Sequence, residues 1–258
     1  MHNRRLGRTG LEVSEAGYGA WGIGESQWLG AEDDESLRAL FRAIYLGLNF
    51  IDTALAYGEG HSERLAGQMV RERDETVYVA TKVPPKNRTW PAPSGLSPDE
   101  TFPSEYVREC TEQSLKNLEL EAIDVQRFHI WHDEWAGEGD WLEAIQDLKR
   151  EGKIRFFGVS MNDHQPANAV KLIEAGVVDT VQVIYNFFDQ SPEDELLPAC
   201  QDNDVGVIVR VPFDEGALTG GSCRRSPSRT ATSATTTSAA TASRKFMNGC
   251  GPSSPSWS

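Results

Sequence analysis

Residues 49–58 read NFIDTALAYG, in which an apolar run ends at an acid, Asp52, and a short turn leads to a phenol, Tyr57. Residues 77–83 read VYVATKV, a β-branched run that carries an amine, Lys82, near its C-terminal end. Short runs of this composition are typical of buried β-strands. The two segments therefore predict two strands whose chemically active side chains lie at, or just beyond, the C-terminal ends.

A third segment, residues 123–132, reads IDVQRFHIWH and places an imidazole, His129, in the corresponding position. These side chains converge only if the strands are parallel and closed into a barrel, because that brings the C-terminal ends of all the strands to one face. The same pattern predicts strands along the chain at Asn49–Thr53, Val77–Val83, Asp124–Trp131, Arg155–Ser160, Thr180–Asn186 and Gly206–Val211. A first barrel strand is predicted near Glu15–Tyr18, after a hairpin at Arg4–Val13.

Amphipathic segments alternate with these strands. Leu37, Leu40, Phe41 and Ile44 recur at the spacing of one buried helix face. A length of 258 residues is near the roughly 250 residues of a (β/α)8 barrel. An open, doubly wound sheet is the main alternative, and it would normally carry a GxGxxG motif after its first strand. The glycine-rich residues 17–24 do not fit that motif, so a barrel is the preferred prediction.

The chain is strongly acidic before residue 221. That part contains all 39 acidic residues and 20 of the 25 basic ones, a net charge of −19, against −14 for the whole chain. Such a charge disfavours nucleic acid or an anionic membrane as the main partner. The chain has no apolar run long enough to span a membrane, so membrane insertion is not expected. The N-terminus lacks the apolar core of a secretion signal. The four cysteines form no CxxC motif, which favours a reduced, cytoplasmic protein.

The alternation of strands and helices stops at Gly220. Residues 221–258 contain ten Ser, six Thr and five Ala, and no Asp or Glu. Such a low-complexity segment cannot bury enough apolar surface to offset the entropy lost on ordering. The sequence therefore predicts a barrel domain at residues 1–220, truncated after strand seven, and a disordered tail at residues 221–258. The composition of the tail is interpreted as a reading-frame change or an abnormal terminus.

A set of motifs spread along the chain carries a family resemblance. They are Asn49–Ala54 with Tyr57-Gly58, Ala80–Lys82, Ile123–His129, Gly158–Ser160, Gln182 with Tyr185-Asn186, and Val211–Phe213 with Gly216–Gly220. Together they resemble the aldo-keto reductases over residues 1–220. The resemblance implies a (β/α)8 TIM barrel and an NAD(P)H-dependent oxidoreductase that reduces aldehyde and ketone carbonyls to alcohols by hydride transfer.

The same resemblance implies a catalytic tetrad of Asp52, Tyr57, Lys82 and His129. Reduction of a carbonyl needs a proton donor as charge develops on the oxygen, and Tyr57 is the expected donor. A phenol is a weak acid near neutrality unless an adjacent ammonium favours its anion. Lys82 would supply that charge, with Asp52 holding it in place, and His129 would orient the substrate carbonyl. Taken singly, these residues would equally fit an ion pair, a rim aromatic and a structural histidine.

The resemblance also implies a nicotinamide cofactor at this face. Ser160, Asn162 and Gln182 are expected to bind its carboxamide, although Met161 separates the first two. Arg210 occupies the position of an aromatic ring that often stacks on the nicotinamide, and a planar guanidinium could take that role. A rim arginine is the alternative. NADPH is the expected cofactor, and NADH is not excluded, because the segment that grips the 2′-phosphate in relatives follows strand eight.

The expected substrate is a small-molecule carbonyl compound, and the sequence leaves its identity and the oligomeric state open. Trp21, Trp28, Trp90 and Trp131 are candidates for an aromatic pocket wall or for packing in the core. Trp90 lies in the connection 84–105, which carries six prolines. A connection of that length is either a functional loop over the mouth of the barrel or a mobile surface loop.

No metal site is expected. His129, His132 and Asp133 have a ligand-like spacing, but residues i and i+3 of a strand point to opposite faces, and no other histidine cluster supplies a third ligand. Two alternatives to an active reductase stay open. The chain could be a cofactor-binding regulatory subunit, as some relatives are for ion channels, or an inactive truncated product of a reductase gene.

Overall fold

The computed structural model of the chain describes residues 1–24 and 32–219. The predicted tail at residues 221–258, the predicted truncation after strand seven and the pocket candidate Trp28 all fall outside the described residues.

Seven parallel strands form the central sheet of the described residues. A two-stranded antiparallel ribbon, β1 (Asn3–Arg5) and β2 (Glu12–Ser14), precedes it. The parallel strands are β3 (Tyr18–Gly19), β4 (Phe50–Asp52), β5 (Tyr78–Val83), β6 (Ile123–Phe128), β7 (Ile154–Ser160), β8 (Thr180–Ile184) and β9 (Gly206–Arg210). They pair in strict chain order from β3 to β9. This order and direction confirm the predicted β/α barrel architecture.

Helices return the chain between successive strands. They are α1 (Asp33–Tyr45), α2 (His61–Arg71), α3 (Pro98–Thr101), α4 (Ser104–Leu118), α5 (Trp141–Arg150), α6 (Val170–Glu174) and α7 (Leu196–Asp202). In α1, Leu40 and Ile44 are buried, and Leu37 and Phe41 pack against the same core. The predicted apolar face of this helix is therefore confirmed.

The N-terminal ribbon closes the bottom of the barrel. One apolar cluster joins its side chains to the inward-facing residues of three strands: Leu6, Leu11, Val13, Phe50, Ala80 and Val125. Gly7 has a φ of +50°, and a Cβ there would lie 2.2 Å from the backbone nitrogen of Gly206. The close contact between ribbon and β9 therefore requires glycine. With this end filled, the polar interior of the barrel lies toward the C-terminal ends of the strands.

The boundaries of β3 and β6 differ from the predicted ones. β3 is Tyr18–Gly19 rather than Glu15–Tyr18, and its two residues pair with Ile51 and Asp52. β6 ends at Phe128 rather than at Trp131. The reason is that the chain leaves the sheet after His129, whose backbone N–H still donates to the carbonyl of Val83 at 3.0 Å. The strict alternation of side chains, which the prediction extended further, ends with that pairing.

Candidate active site

Asp52 and Lys82 form a buried ion pair at the C-terminal ends of two adjacent strands. Nζ of Lys82 lies 3.0 Å from each carboxylate oxygen of Asp52 and donates to the carbonyl of Thr53 at 2.7 Å. Lys82 is only 1% exposed. Burial lowers the pKa of Lys82, and the charge attraction of Tyr57 opposes that shift. Direct pairing with Asp52 is what allows an ammonium to stay in this position.

Tyr57 reaches the same ammonium from the turn that follows β4. Its hydroxyl oxygen lies 3.3 Å from Nζ of Lys82, and its ring centroid lies 4.9 Å from that nitrogen. Gly58 fixes the turn, because its φ is +62° and a Cβ there would lie 1.9 Å from the carbonyl oxygen of Gly24. Only glycine fits so close a contact between two turns. The local backbone thus holds the phenol over the amine.

His129 completes the predicted set of four. Its ring lies edge-on to the rings of Tyr57 and Trp90, at centroid distances of 5.6 and 5.7 Å. Burial lowers the pKa of His129 well below its usual value, and the nearby cations Lys82 and Arg127 add to the effect. The imidazole is therefore neutral near pH 7, with one nitrogen as a donor and the other as an acceptor. Nδ1 is buried without a hydrogen-bond partner among the described residues.

Two further side chains bind the carboxylate of Asp52. Arg127, on β6, pairs with Oδ1 through Nη2. Gln182, on β8, donates to Oδ2 at 2.8 Å. The sequence reasoning missed Arg127 altogether and assigned Gln182 to the cofactor. The alternation of side chains along a strand could have indicated Arg127. Arg127 lies two residues before His129 on the same strand and therefore also points into the barrel.

Tyr57, His129 and Gln182 border a cavity of about 500 Å³ at the C-terminal face of the barrel. It is lined by Tyr57, Trp90, Pro91, His129, Ile130, Ser160, Met161, Asn162, Asp163, His164, Gln182 and Arg210. Its volume is in the range usual for small-molecule sites. All four predicted cofactor residues are therefore in its wall. Among the described residues, the hydroxyl of Ser160 has no hydrogen-bond partner, so it is available to a ligand.

Asn162 already makes three side-chain hydrogen bonds. Its Oδ1 accepts from the backbone N–H of Ala92 at 3.1 Å, and its Nδ2 donates to the carbonyl of Ala92 and to Oε1 of Gln165, each at 3.1 Å. Ala92 belongs to the long connection between β5 and α4. Asn162 thus ties that connection to the end of β7, and both of its N–H donors are already used.

Arg210 projects from the end of β9 into the cavity wall. Nη2 donates to the carbonyl of Met161 at 3.1 Å and to Oδ1 of Asp163 at 2.5 Å. Its Nε has no partner among the described residues. The guanidinium of Arg210 is therefore bound through Nη2 alone among the described residues.

The three tryptophans predicted for the pocket lie in different environments. Trp90 is 43% exposed and lines the cavity beside His129. Trp21 is 42% exposed in the turn after β3 and is not among the described residues that line the cavity. The assignment of Trp131 to the pocket is wrong. Trp131 is fully buried and packs on Trp135 and Trp141, because the chain turns outward after β6 and carries this side chain into the helix layer.

The described residues contain no group of three or more His, Cys, Asp or Glu side chains placed to hold a metal ion. Nδ1 of His132 accepts a hydrogen bond from the backbone N–H of Glu134 at 3.3 Å. Within the described part of the chain, no helix is both long enough and apolar enough to span a membrane.

Comparison with known proteins gives a uniform result. The family model described as "Aldo/keto reductase family" matches residues 15–249. The oxidoreductase YqkF of Bacillus subtilis is 31% identical over 219 residues, which cover 85% of this chain and 67% of the relative. The aldo-keto reductase YhdN of the same organism is 30% identical over 224 residues, or 85% and 64% of the two chains. An NADH-specific methylglyoxal reductase of Escherichia coli is 31% identical over 228 residues, or 83% and 68%.

Solved structures agree with the sequence comparisons. A holo-form aldo-keto reductase from Bacillus halodurans superposes with a TM-score of 0.71 at 25% identity, covering 99% of this chain and 79% of the other. An aldo/keto reductase from Klebsiella pneumoniae in complex with NADP and acetate gives 0.67 at 29% identity, covering 87% and 73%. The chain spans about two thirds of the length of the curated relatives it matches.

Proposed function

The chain belongs to the aldo/keto reductase family, and from this we propose that it reduces the carbonyl group of a small aldehyde or ketone with a nicotinamide cofactor. Tyr57 is the proton donor in this proposal. The observation that carries it is the position of the Tyr57 hydroxyl, 3.3 Å from the buried ammonium of Lys82 at the wall of the cavity.

The proton step follows from the chemistry of these groups. As hydride adds to the carbonyl carbon, negative charge develops on the oxygen, which takes the proton of Tyr57 and becomes an alcohol. The ammonium of Lys82 stabilises the phenolate that remains. Asp52 keeps Lys82 in place through both of its oxygens. The neutral ring of His129 donates a hydrogen bond to the carbonyl oxygen and orients it toward Tyr57.

The cavity wall fits the nicotinamide part of a cofactor. Ser160 offers a hydroxyl without a partner among the described residues, Gln182 offers its amide oxygen, and Arg210 offers a planar cation beside them. A nicotinamide cofactor supplies the hydride for the reduction when bound. We assign it to these three residues and not to Asn162, whose amide holds the connection after β5.

NADPH is the proposed cofactor, and NADH is the alternative. One relative is an NADH-specific methylglyoxal reductase, and one similar structure is a complex with NADP. The purified chain, mixed in turn with NADPH and NADH and a series of simple aldehydes, tests both points through the loss of cofactor absorbance. Carbonyl-dependent oxidation of NADPH supports the proposal. Tight cofactor binding without turnover of any carbonyl would instead support a regulatory, cofactor-binding role.

A further inference from the structure

Arg127 is a buried cation inside the barrel that the proposed reaction does not use directly. It is 0% exposed, and its Nη2 pairs with Oδ1 of Asp52. Its Nε and Nη1 have no hydrogen-bond partner among the described residues. Burial lowers the pKa of Arg127 to about 9, and a guanidinium still keeps its proton at neutral pH. A buried cation with unused donors is costly, so its presence calls for a compensating role.

The carboxylate of Asp52 is shared by two cations. Lys82 contacts both of its oxygens, and Arg127 contacts one of them. The three groups therefore carry one net positive charge. Among the described residues, other charged groups nearby do not pair with these three. Glu63 accepts hydrogen bonds from Thr81 and Asn117, and Arg210 is paired with Asp163.

We propose that Arg127 is a positioning residue for the reduction, which ties Asp52 of β4 to β6 and leaves one positive charge beside Tyr57 and His129. The proposal rests on the proposed function. Negative charge develops in the transition state on the carbonyl oxygen and then on the phenolate of Tyr57. A preorganised positive charge in a dry site stabilises that state more than it stabilises the neutral substrate.

The location of Arg127 supports this role over a purely structural one. Lys82 and Gln182 already satisfy Asp52 from two other strands. Without Arg127 the carboxylate and the ammonium would form a neutral pair, so the fold does not need the guanidinium for charge balance. Removing Arg127 leaves Asp52 and Lys82 as a compensated pair and takes away two donors that have no partner among the described residues, so no buried charge is left unpaired. Stability and turnover should therefore respond differently to its removal.

The test compares Arg127→Met and Arg127→Lys with the parent chain, with Arg155→Met as the matched control. Arg155 is also a strand arginine paired with an aspartate, Asp124, but it lies on the exposed side of the barrel. Each protein is assayed for kcat and KM with NADPH and benzaldehyde, for NADPH affinity by fluorescence titration, and for its thermal unfolding midpoint. These readouts separate binding and folding from the chemical step.

We expect Arg127→Met to lower kcat by roughly tenfold or more, with NADPH affinity within about twofold of the parent and no loss in unfolding temperature. Arg127→Lys should restore most of kcat, and Arg155→Met should leave kcat unchanged. A kcat for Arg127→Met within twofold of the parent would overturn the inference. So would a joint loss of kcat and unfolding temperature that lysine does not restore. If the parent itself oxidises no NADPH, the proposed function fails and the inference fails with it; turnover by the parent and by Arg127→Met alike removes only the inference.

Discussion

Both carboxylate oxygens of Asp52 lie 3.0 Å from Nζ of Lys82, so the carboxylate binds the ammonium through both of its oxygens. Arg127 and Gln182 bind the same carboxylate from two other strands. Asp52 is thus the single anion among these groups, and the remaining residues of the site are arranged around it. Because one anion is bound by two cations, replacing the anion and replacing one cation should change the free energy of unfolding by different amounts.

Asp52→Asn should destabilise the protein more than Lys82→Met does. The first change leaves Lys82 and Arg127 buried without a counter-charge, which costs about 3–5 kcal/mol. The second leaves Asp52 paired with Arg127, and we expect a loss of about 1 kcal/mol. Urea unfolding of both variants measures the difference. An equal or larger loss for Lys82→Met would show that Asp52 is not the central group.

Trp90 and Trp131 should behave as opposites when each is changed to alanine. Trp90→Ala removes a partly exposed cavity wall, so KM for aromatic aldehydes should change while stability falls by about 1 kcal/mol or less. Trp131→Ala empties a fully buried site and should cost about 3–5 kcal/mol. Steady-state kinetics and urea unfolding test both. A Trp131→Ala variant of parental stability would contradict the placement of this side chain in the core.

Asn162→Ala separates loop anchoring from cofactor binding. Its two hydrogen bonds with Ala92 hold the connection that carries Trp90. Their loss should raise KM for the aldehyde several-fold and leave the Kd for NADPH within about twofold, since each bond contributes about 1 kcal/mol. Ser160→Ala is the matched control and should weaken NADPH binding instead. A large rise in Kd for NADPH in Asn162→Ala would return Asn162 to the cofactor.

Glu63→Gln should remove a pH dependence of stability. Glu63 is buried on α2, where it accepts hydrogen bonds from Thr81 and Asn117. Burial raises the pKa of Glu63, so its contribution to stability is complete below the unfolded value of about 4.3 and declines as pH rises through the folded value. The free energy of unfolding of Glu63→Gln, relative to the parent, should therefore increase as the pH rises above about 4. A difference that stays flat over this pH range would refute this placement of Glu63.

The architecture and much of the site could be predicted because they depend on local patterns. Asp52, Lys82 and His129 end three β-branched runs, and parallel order alone brings such ends together. Arg127 was missed although strand alternation from His129 points to it. Trp131 was predicted to line the pocket, with packing in the core as the alternative, and because β6 ends at Phe128 the side chain lies in the core.

Other features depend on contacts between distant segments. Asn162 bonds to backbone 70 residues earlier, and Gln182 bonds to a side chain 130 residues earlier. An amide can serve a cofactor, a loop or a carboxylate equally well. The sequence shows where Asn162 and Gln182 lie in the chain. Their hydrogen-bond partners depend on how the connection after β5 and the barrel interior pack.

The most direct test of the central claim follows a labelled hydride. NADPH carrying deuterium at the transferable position of its nicotinamide ring is incubated with the chain and benzaldehyde, and the alcohol is analysed by mass spectrometry. We predict that the parent forms alcohol with one deuterium on the carbinol carbon, and that Tyr57→Phe forms it at least about 100-fold more slowly with unchanged NADPH affinity. No labelled alcohol from the parent, or equal rates for the parent and Tyr57→Phe, would contradict the assignment of Tyr57 as proton donor in a carbonyl reductase.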